Sequence, residues 1–236
     1  MQKGLGIAAA GARAQAEALD VVAGNLSNAG TAGYRALKVS FRETLDAATG
    51  AGMVSATTSV DPTQGALRRT DNPLDLAIAG DGYFAVDTPG GVRYTRAGGM
   101  QLDATGALAT ADGSLLRGTG GTHIQIPTNA ARIEVTAEGT VRADGSDVGT
   151  LELVRFAPGA LVQEGVGRYD ARGAEPLSAD TPPRVESGVV EQSNVNPVRG
   201  VMDLVRITRS YDALLRAIEM YGEMDKRTAQ DMGKQR

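Results

Sequence analysis

Cysteine is absent from all 236 residues, which excludes disulfides, thiolate catalysis, Cys-ligated zinc and iron–sulfur clusters. The compartment stays open, because a reduced cytosol and export of an unfolded chain both suit a cysteine-free sequence. Tryptophan is also missing and aromatics reach only 4 %, so the core has to be built from Ala, Val, Leu and Ile. The only histidine is His123; one imidazole without cysteines or patterned carboxylates reads as a surface or packing residue. No apolar run approaches the ~20 residues that span a bilayer. Charge of one sign nowhere accumulates: the net −4 is spread along the chain, and without a Lys/Arg block no nucleic-acid partner is expected.

Catalytic signatures are missing in the same way. No G-x-S-x-G elbow and no Gly-Lys-Ser/Thr phosphate loop occurs. Gly80-Asp81-Gly82, with Asp71 and Asp75 nearby, offers oxygen ligands for a hard cation, but D-x-D-x-D-G spacing with a closing Glu is lacking. These residues, like Gly98-Gly99 and Gly118–Gly121, read as turn chemistry. No catalytic, cofactor-binding or metal site is expected.

What is present is a change of period along the chain. Over residues 4–29, Leu5, Ala12, Leu19 and Leu26 recur every seven positions, flanked by Ala8, Gln15 and Val22, a heptad-like seam of mostly small side chains. Gly30 is the expected C-cap. The rhythm runs on past the Ala14-Gln15-Ala16 stretch that superficially resembles a signal cleavage site, so no cleavage is expected. Over 197–232, Leu204, Ile207, Tyr211, Leu214, Ile218 and Tyr221 alternate in steps of three and four. Asn196 is placed as N-cap and Pro197 at the first helical position, and Gly233 ends the pattern. Arg209 with Asp212, and Asp212 with Arg216, are spaced for intrahelical ion pairs.

Between these segments the period falls to two, and 31 glycines supply turns. Tyr83–Val86 and Val92–Thr95 flank Pro89-Gly90-Gly91 as a hairpin. Ile133–Thr136, Thr140–Ala143 and Leu151–Phe156 are further strands, with turns at Asp112-Gly113 and Asp144-Gly145. Residues 31–66 show neither period and read as a connector, and 165–183 as a second loose stretch. The fold class is α+β: terminal helices that pair as a coiled-coil-like layer, with a β-rich domain of short antiparallel strands between them. Neither helix is stable alone in water. Their narrow seams favour helix-on-helix packing in an oligomer over packing within one subunit.

The motifs at the junctions carry a resemblance. Asn25-Leu26-Ser27-Asn28-Ala29-Gly30-Thr31-Ala32-Gly33-Tyr34-Arg35 resembles the N-terminal signature of flagellar rod and hook proteins. Asn72-Pro73-Leu74-Asp75, then Gly80-Asp81-Gly82 and Tyr94-Thr95-Arg96, is similar to the entrance to that family's β domain. Ser193-Asn194-Val195-Asn196 is similar to the segment leading into its C-terminal helix. Ala97-Gly98-Gly99-Met100 departs from the usual Asn-Gly-small-Phe, and Gly30 sits where Asn or Ser is common.

The resemblance implies a domain plan: an inner-tube helix at 1–30, a connector at 31–66, a β-rich domain at 67–190 and a second inner-tube helix at 191–236. It implies a structural subunit of the proximal rod, with the distal rod subunit as near alternative. It also implies passage through the flagellar type III export apparatus without a cleaved signal, and assembly with copies of itself and other rod proteins in the periplasmic part of the basal body. The expected assembly residues are Leu5, Leu19, Val22 and Leu26 on the first helix, and Leu204, Ile207, Tyr211, Leu214, Ile218 and Tyr221 on the last. The rival classes are a secreted adhesin or phage-type fibre, which would show a cleaved signal or a repetitive stalk, and a carbohydrate-active enzyme, whose aromatic platforms the missing Trp disfavours.

Overall fold

The Ala-rich heptad segment forms one helix, α1 (Gln2–Ser27), and the amphipathic C-terminal segment another, α2 (Pro197–Lys234), in a computed structural model that describes residues 2–45, 52–177 and 183–234. Asn196 caps α2 as expected: its Oδ1 accepts from the Arg199 amide at 3.1 Å. Gly30 does not cap α1. The helix ends at Ser27, Gly30 keeps an ordinary φ, and the left-handed residue is Gly33, at φ 69°. The chain divides into two units. One holds α1, residues 37–59 and α2; the other holds residues 28–36 and 60–195.

In the first unit, α1 packs on α2. The expected connector is more regular than its composition suggests: β1 (Leu37–Leu45) pairs with β2 (Gly52–Val60) in a two-stranded sheet. Two strands alone are marginal in water, and β1 leans on α1.

The second unit is β throughout. It begins with β3 (Leu67–Arg69), β4 (Leu76–Ala79), β5 (Tyr83–Thr88), β6 (Gly91–Thr95), β7 (Met100–Leu102), β8 (Leu108–Thr110) and β9 (Leu115–Leu116). It continues with β10 (Ile133–Val135), β11 (Thr140–Ala143), β12 (Ser146–Thr150), β13 (Leu153–Val154), β14 (Val162–Gln163), β15 (Arg168–Asp170), β16 (Arg184–Ser187) and β17 (Val189–Glu191). The largest sheet has the order β14-β15-β6-β5-β9-β8-β7, with β13 added to β5. The expected β5–β6 hairpin forms in register, Ala85 opposite Tyr94. Strands β11 and β12 meet at Asp144-Gly145, whose φ values of 49° and 84° are those of a hairpin turn with the twist of its strands. Of the expected strand 151–156 only Leu153–Val154 is a strand, while Leu151 makes a single bridge to Gly118. The stretch expected to be loose at 165–183 contributes β15, and its residues 178–182 lie outside those described.

Leu76, Ile78, Phe84, Val86, Leu116 and Val141 form the centre of the core. The scarce aromatics are concentrated beside it, Tyr83 edge-on to Tyr169 at 5.5 Å and Tyr94 edge-on to Phe156 at 4.6 Å. Two shorter pairs join the ends of the unit's chain, β16 with β4 and β17 with β3.

Candidate assembly surface

The register of the helix pair can be read from glycines. A Cβ placed on Gly4 would stand 3.2 Å from the Tyr221 ring, one on Gly11 3.4 Å from Leu214, and one on Gly200 3.7 Å from Leu26. As the α1 number rises the α2 number falls, so the helices run antiparallel. Small residues let the backbones approach: Ala8, Ala12, Ala14 and Ala18 are the buried side chains of α1. Leu5, Leu19, Val22 and Leu26 are half-buried, as are Leu204, Ile207, Tyr211, Leu214, Ile218 and Tyr221. All ten lie on the better-covered faces of their helices, and Leu26, Leu214 and Tyr221 meet the partner helix of the same chain.

Beside the pair, Val22, Val39, Phe41, Asp203 and Ile207 line an open groove of about 550 Å³ between α1, β1 and α2. Asn25, the first motif residue, holds β1 to α1 from two sides. Its Nδ2 donates to the Leu37 carbonyl at 2.8 Å, and its Oδ1 accepts from the Leu37 amide at 2.9 Å. A side chain thus imitates a strand neighbour, which explains an Asn at the end of a helix. Among the described residues α2 carries the ion pairs Arg206–Asp203 and Arg227–Glu223, not the Arg209–Asp212 and Asp212–Arg216 pairs that spacing suggested.

Apart from Leu26 on α1 and the N-cap Asn196, the remaining motif residues lie in the second unit, and those at 28–36 and 193–195 splice its two chain ends together. The Gly33 amide donates to the Glu191 carbonyl at 2.8 Å, and the Ala36 amide to Asn194 Oδ1 at 2.7 Å. Asn194 Nδ2 reaches the Thr63 carbonyl at 2.9 Å. Ser193 Oγ accepts from the Val195 amide at 3.2 Å. Asn28 Oδ1 accepts the Thr31 hydroxyl at 3.3 Å, and Tyr34 is buried, which pushes its phenol pKa up. A Cβ on Gly33 would lie 2.3 Å from the Ala97 amide nitrogen, so only glycine fits both that contact and the positive φ.

Asn72-Pro73-Leu74-Asp75 is a turn. Asn72 Oδ1 accepts from the Leu74 amide and its Nδ2 donates to Asp75, both at 3.2 Å. The Asp75 carbonyl accepts from the Gly188 amide at 2.8 Å. Gly80 and Gly82 both have positive φ. Here the Asp and Gly residues considered as cation ligands close turns.

Sequence reasoning passed over the most buried polar group of this splice. Arg35, Arg96 and Glu191 come from the segment after α1, the end of β6 and the end of β17, and each is almost fully buried. Glu191 sits between the guanidiniums, its Oε2 3.1 Å from Arg96 Nη1 and its Oε1 3.5 Å from Arg35 Nη2. The Gly65 amide adds a bond to Oε1 at 3.2 Å. Arg96 also donates to the Ile78 carbonyl at 3.1 Å and the Gly80 carbonyl at 2.5 Å. The Tyr83 ring lies 5.3 Å from Arg96 Cζ and 5.7 Å from Arg35 Cζ. Burial, and then the neighbouring Arg35, pull the Arg96 pKa below its ordinary value against the attraction of Glu191. The sequence signal is slight: Arg35 and Arg96 each close a motif and Glu191 lies two residues before one, and a charge gives no hint of burial by itself.

His123 lies at the surface, its Nε2 2.8 Å from Asp87, which also accepts from Arg117 at 3.0 Å. No nucleophile or oxyanion donor completes a catalytic arrangement there among the described residues. None of the described helices is long and apolar enough to cross a membrane.

One unit holds an antiparallel pair of terminal helices and the other is a β unit spliced at its own chain ends, the make-up of a building block. Three family descriptions match it in order: flagella basal body rod protein at residues 5–35, flagellar hook protein FlgE/F/G D1 domain at 77–143, and flagellar basal body rod FlgEFG protein C-terminal at 186–231. The chain is 36 % identical to the flagellar basal-body rod protein FlgF of Rhizobium meliloti, over 96 % of each chain. It is 37 % identical to FlgF of Escherichia coli over 84 % of this chain and 85 % of that one. It is 30 % identical to the rod protein FlgG of Bacillus subtilis over 83 % and 86 %. The chain belongs to the flagellar basal-body rod protein family, as a structural subunit of the rod.

Proposed function

We propose that this chain is a proximal rod subunit of the FlgF type, built into the drive shaft through its terminal helices and without catalytic activity. The observation that carries this reading is the antiparallel α1–α2 pair joined to likeness with FlgF proteins along nearly the whole chain. Its partners are copies of itself, neighbouring rod proteins and a distal rod protein of the FlgG type, with no nucleic acid among them. It reaches the periplasmic part of the basal body through the flagellar type III export apparatus and keeps its N-terminus. In support, α1 continues unbroken through the Ala14-Gln15-Ala16 stretch. Export unfolded suits helices that gain stability only by packing.

The ten apolar residues of the helix seams carry assembly in this reading, by holding the pair in the form that neighbours recognise. Leu214→Asp puts a carboxylate against Gly11 and is expected to remove the chain from purified basal bodies while the second unit stays folded by near-ultraviolet spectra. Normal incorporation of that variant refutes the role of the seam. The distal reading is favoured instead if the chain is located next to the hook in labelled basal bodies.

A further inference from the structure

The Arg35–Glu191–Arg96 group is balanced neither in charge nor in hydrogen bonds. Two guanidiniums meet one carboxylate, so the group carries one excess positive charge. The side chains of Arg35 and Arg96 are 3 % and 0 % exposed, which puts that charge beyond the reach of bulk water. Charge in a protein interior is costly unless something of opposite sign lies against it. Asp81 also attracts Arg96, more weakly than Glu191 does, but it is exposed at the surface, where solvent screens it.

A guanidinium donates hydrogen bonds and accepts none. Arg96 spends its terminal nitrogens on Glu191 and on the Ile78 and Gly80 carbonyls, but its buried Nε has no hydrogen-bond partner in the protein. Arg35 Nε and Nη2 have none either, since the 3.5 Å contact with Glu191 is an ion pair without hydrogen-bond geometry. The Tyr169 hydroxyl, buried beside the Arg35 backbone amide, is a fourth such atom. The three side chains converge on one ring. The Tyr83 centroid lies 5.3 Å from Arg96 Cζ, 5.7 Å from Arg35 Cζ and 5.5 Å from the Tyr169 centroid. Against these four donors, the buried side chains among the described residues offer one unpartnered acceptor, Gln163 Oε1. A water molecule accepts bonds but brings protons that need acceptors of their own. An anion accepts from every side and cancels the charge as well.

We infer that the second unit binds one small monovalent anion, of the chloride or formate class, between Arg35, Arg96 and the Tyr169 hydroxyl beside the Tyr83 ring. Charge-assisted bonds from both guanidiniums hold it, and its charge brings the group to neutrality. A divalent oxyanion would leave the group negative, which sets the valence. Arg35, Arg96 and Tyr169 come from three distant stretches of chain, so the site exists only in the folded unit. The anion therefore binds the folded chain and not the unfolded one, and stabilises it by mass action. The inference goes beyond the rod reading and does not depend on it.

The test is urea unfolding of the full-length chain, followed by near-ultraviolet spectra, as sodium chloride replaces sodium gluconate at fixed ionic strength. Gluconate is too bulky for the interior, so only the small anion changes. Above its dissociation constant, each tenfold rise in chloride is expected to raise the folded-to-unfolded ratio about tenfold. A second series runs formate in place of chloride, and a response to either anion supports the inference. Arg35→Met removes the excess charge and keeps the Arg96–Glu191 pair, and its ratio is expected to stay flat in both series. Wild-type crystals grown in bromide keep the test independent of how that variant folds: an anomalous peak in contact with Arg35 and Arg96 is expected. A wild-type ratio flat in both anions, an equal response in Arg35→Met, or a map without that peak overturns the inference.

Discussion

At the scale of single residues, the buried Arg35–Glu191–Arg96 group is where one side chain matters most. Two guanidiniums share one carboxylate, and removing it strands both cations out of water. Glu191→Ala is expected to destabilise the second unit by about 3–5 kcal/mol, read as a lower urea midpoint. A midpoint unchanged within error would mean that water reaches the arginines. Asp103 offers a pH test. The Thr105 hydroxyl, at 2.7 Å, and the Ala107 amide, at 2.8 Å, hold its carboxyl below the ordinary carboxylate range. A depressed folded-state pKa contributes stability above the unfolded value and loses it as pH falls through the folded one. The wild-type midpoint should therefore drop more steeply than that of Asp103→Asn as pH falls from about 5 through the ordinary carboxylate value of about 4 and below it. Parallel curves would deny the turn its charge-assisted bonds.

At the scale of elements, the terminal helices were legible and the two-stranded β1–β2 sheet was not. Leu5, Leu19 and Leu26 keep a sevenfold spacing that only a helix places on one face. In β1 the alternation Leu37, Val39, Phe41 was present, but the paired strand β2 reads Gly-Met-Val-Ser-Ala-Thr-Thr-Ser-Val, small and polar, and masks the period. Strands such as β9 and β13, two residues each, are too short for any periodic signal. Gly30 was a misplaced cap for a related reason: the left-handed position is set by the bond from Gly33 to Glu191, a contact across the whole sequence. The glycines of α1 make a prediction of their own. Nothing lies within 4 Å of a Cβ on Gly6, whereas one on Gly11 meets Leu214. Gly6→Ala should raise helix stability by about 1 kcal/mol, while Gly11→Leu should lower the helical melting temperature by forcing the pair apart. Equal effects at the two positions would contradict the antiparallel register.

At the scale of the whole molecule, the two units have unequal interiors. The β unit encloses Leu76, Ile78, Phe84, Val86 and their neighbours completely, whereas α1 buries only alanines and the seam of α2 is half-covered. Local stability follows buried apolar area. Amide exchange is expected to be slow in residues 76–86 and much faster in 197–225 of the isolated chain. On incorporation into a rod, protection should rise in the helix and stay level in the strands. Equal protection of both in the isolated chain would mean that the helices need no partner beyond their own subunit.

The sequence by itself determined the class of each region, since apolar period is a local property: helix at both ends, β structure between. It also carried the order of junction motifs that placed the chain among flagellar rod and hook proteins. Only the tertiary structure decided which side of α2 faces α1, that Arg35, Arg96 and Glu191 meet in one buried group, and that Leu37–Leu45 pairs with Gly52–Val60. Each of these depends on segments distant along the chain coming within a few ångströms, and neither spacing nor composition records such distances.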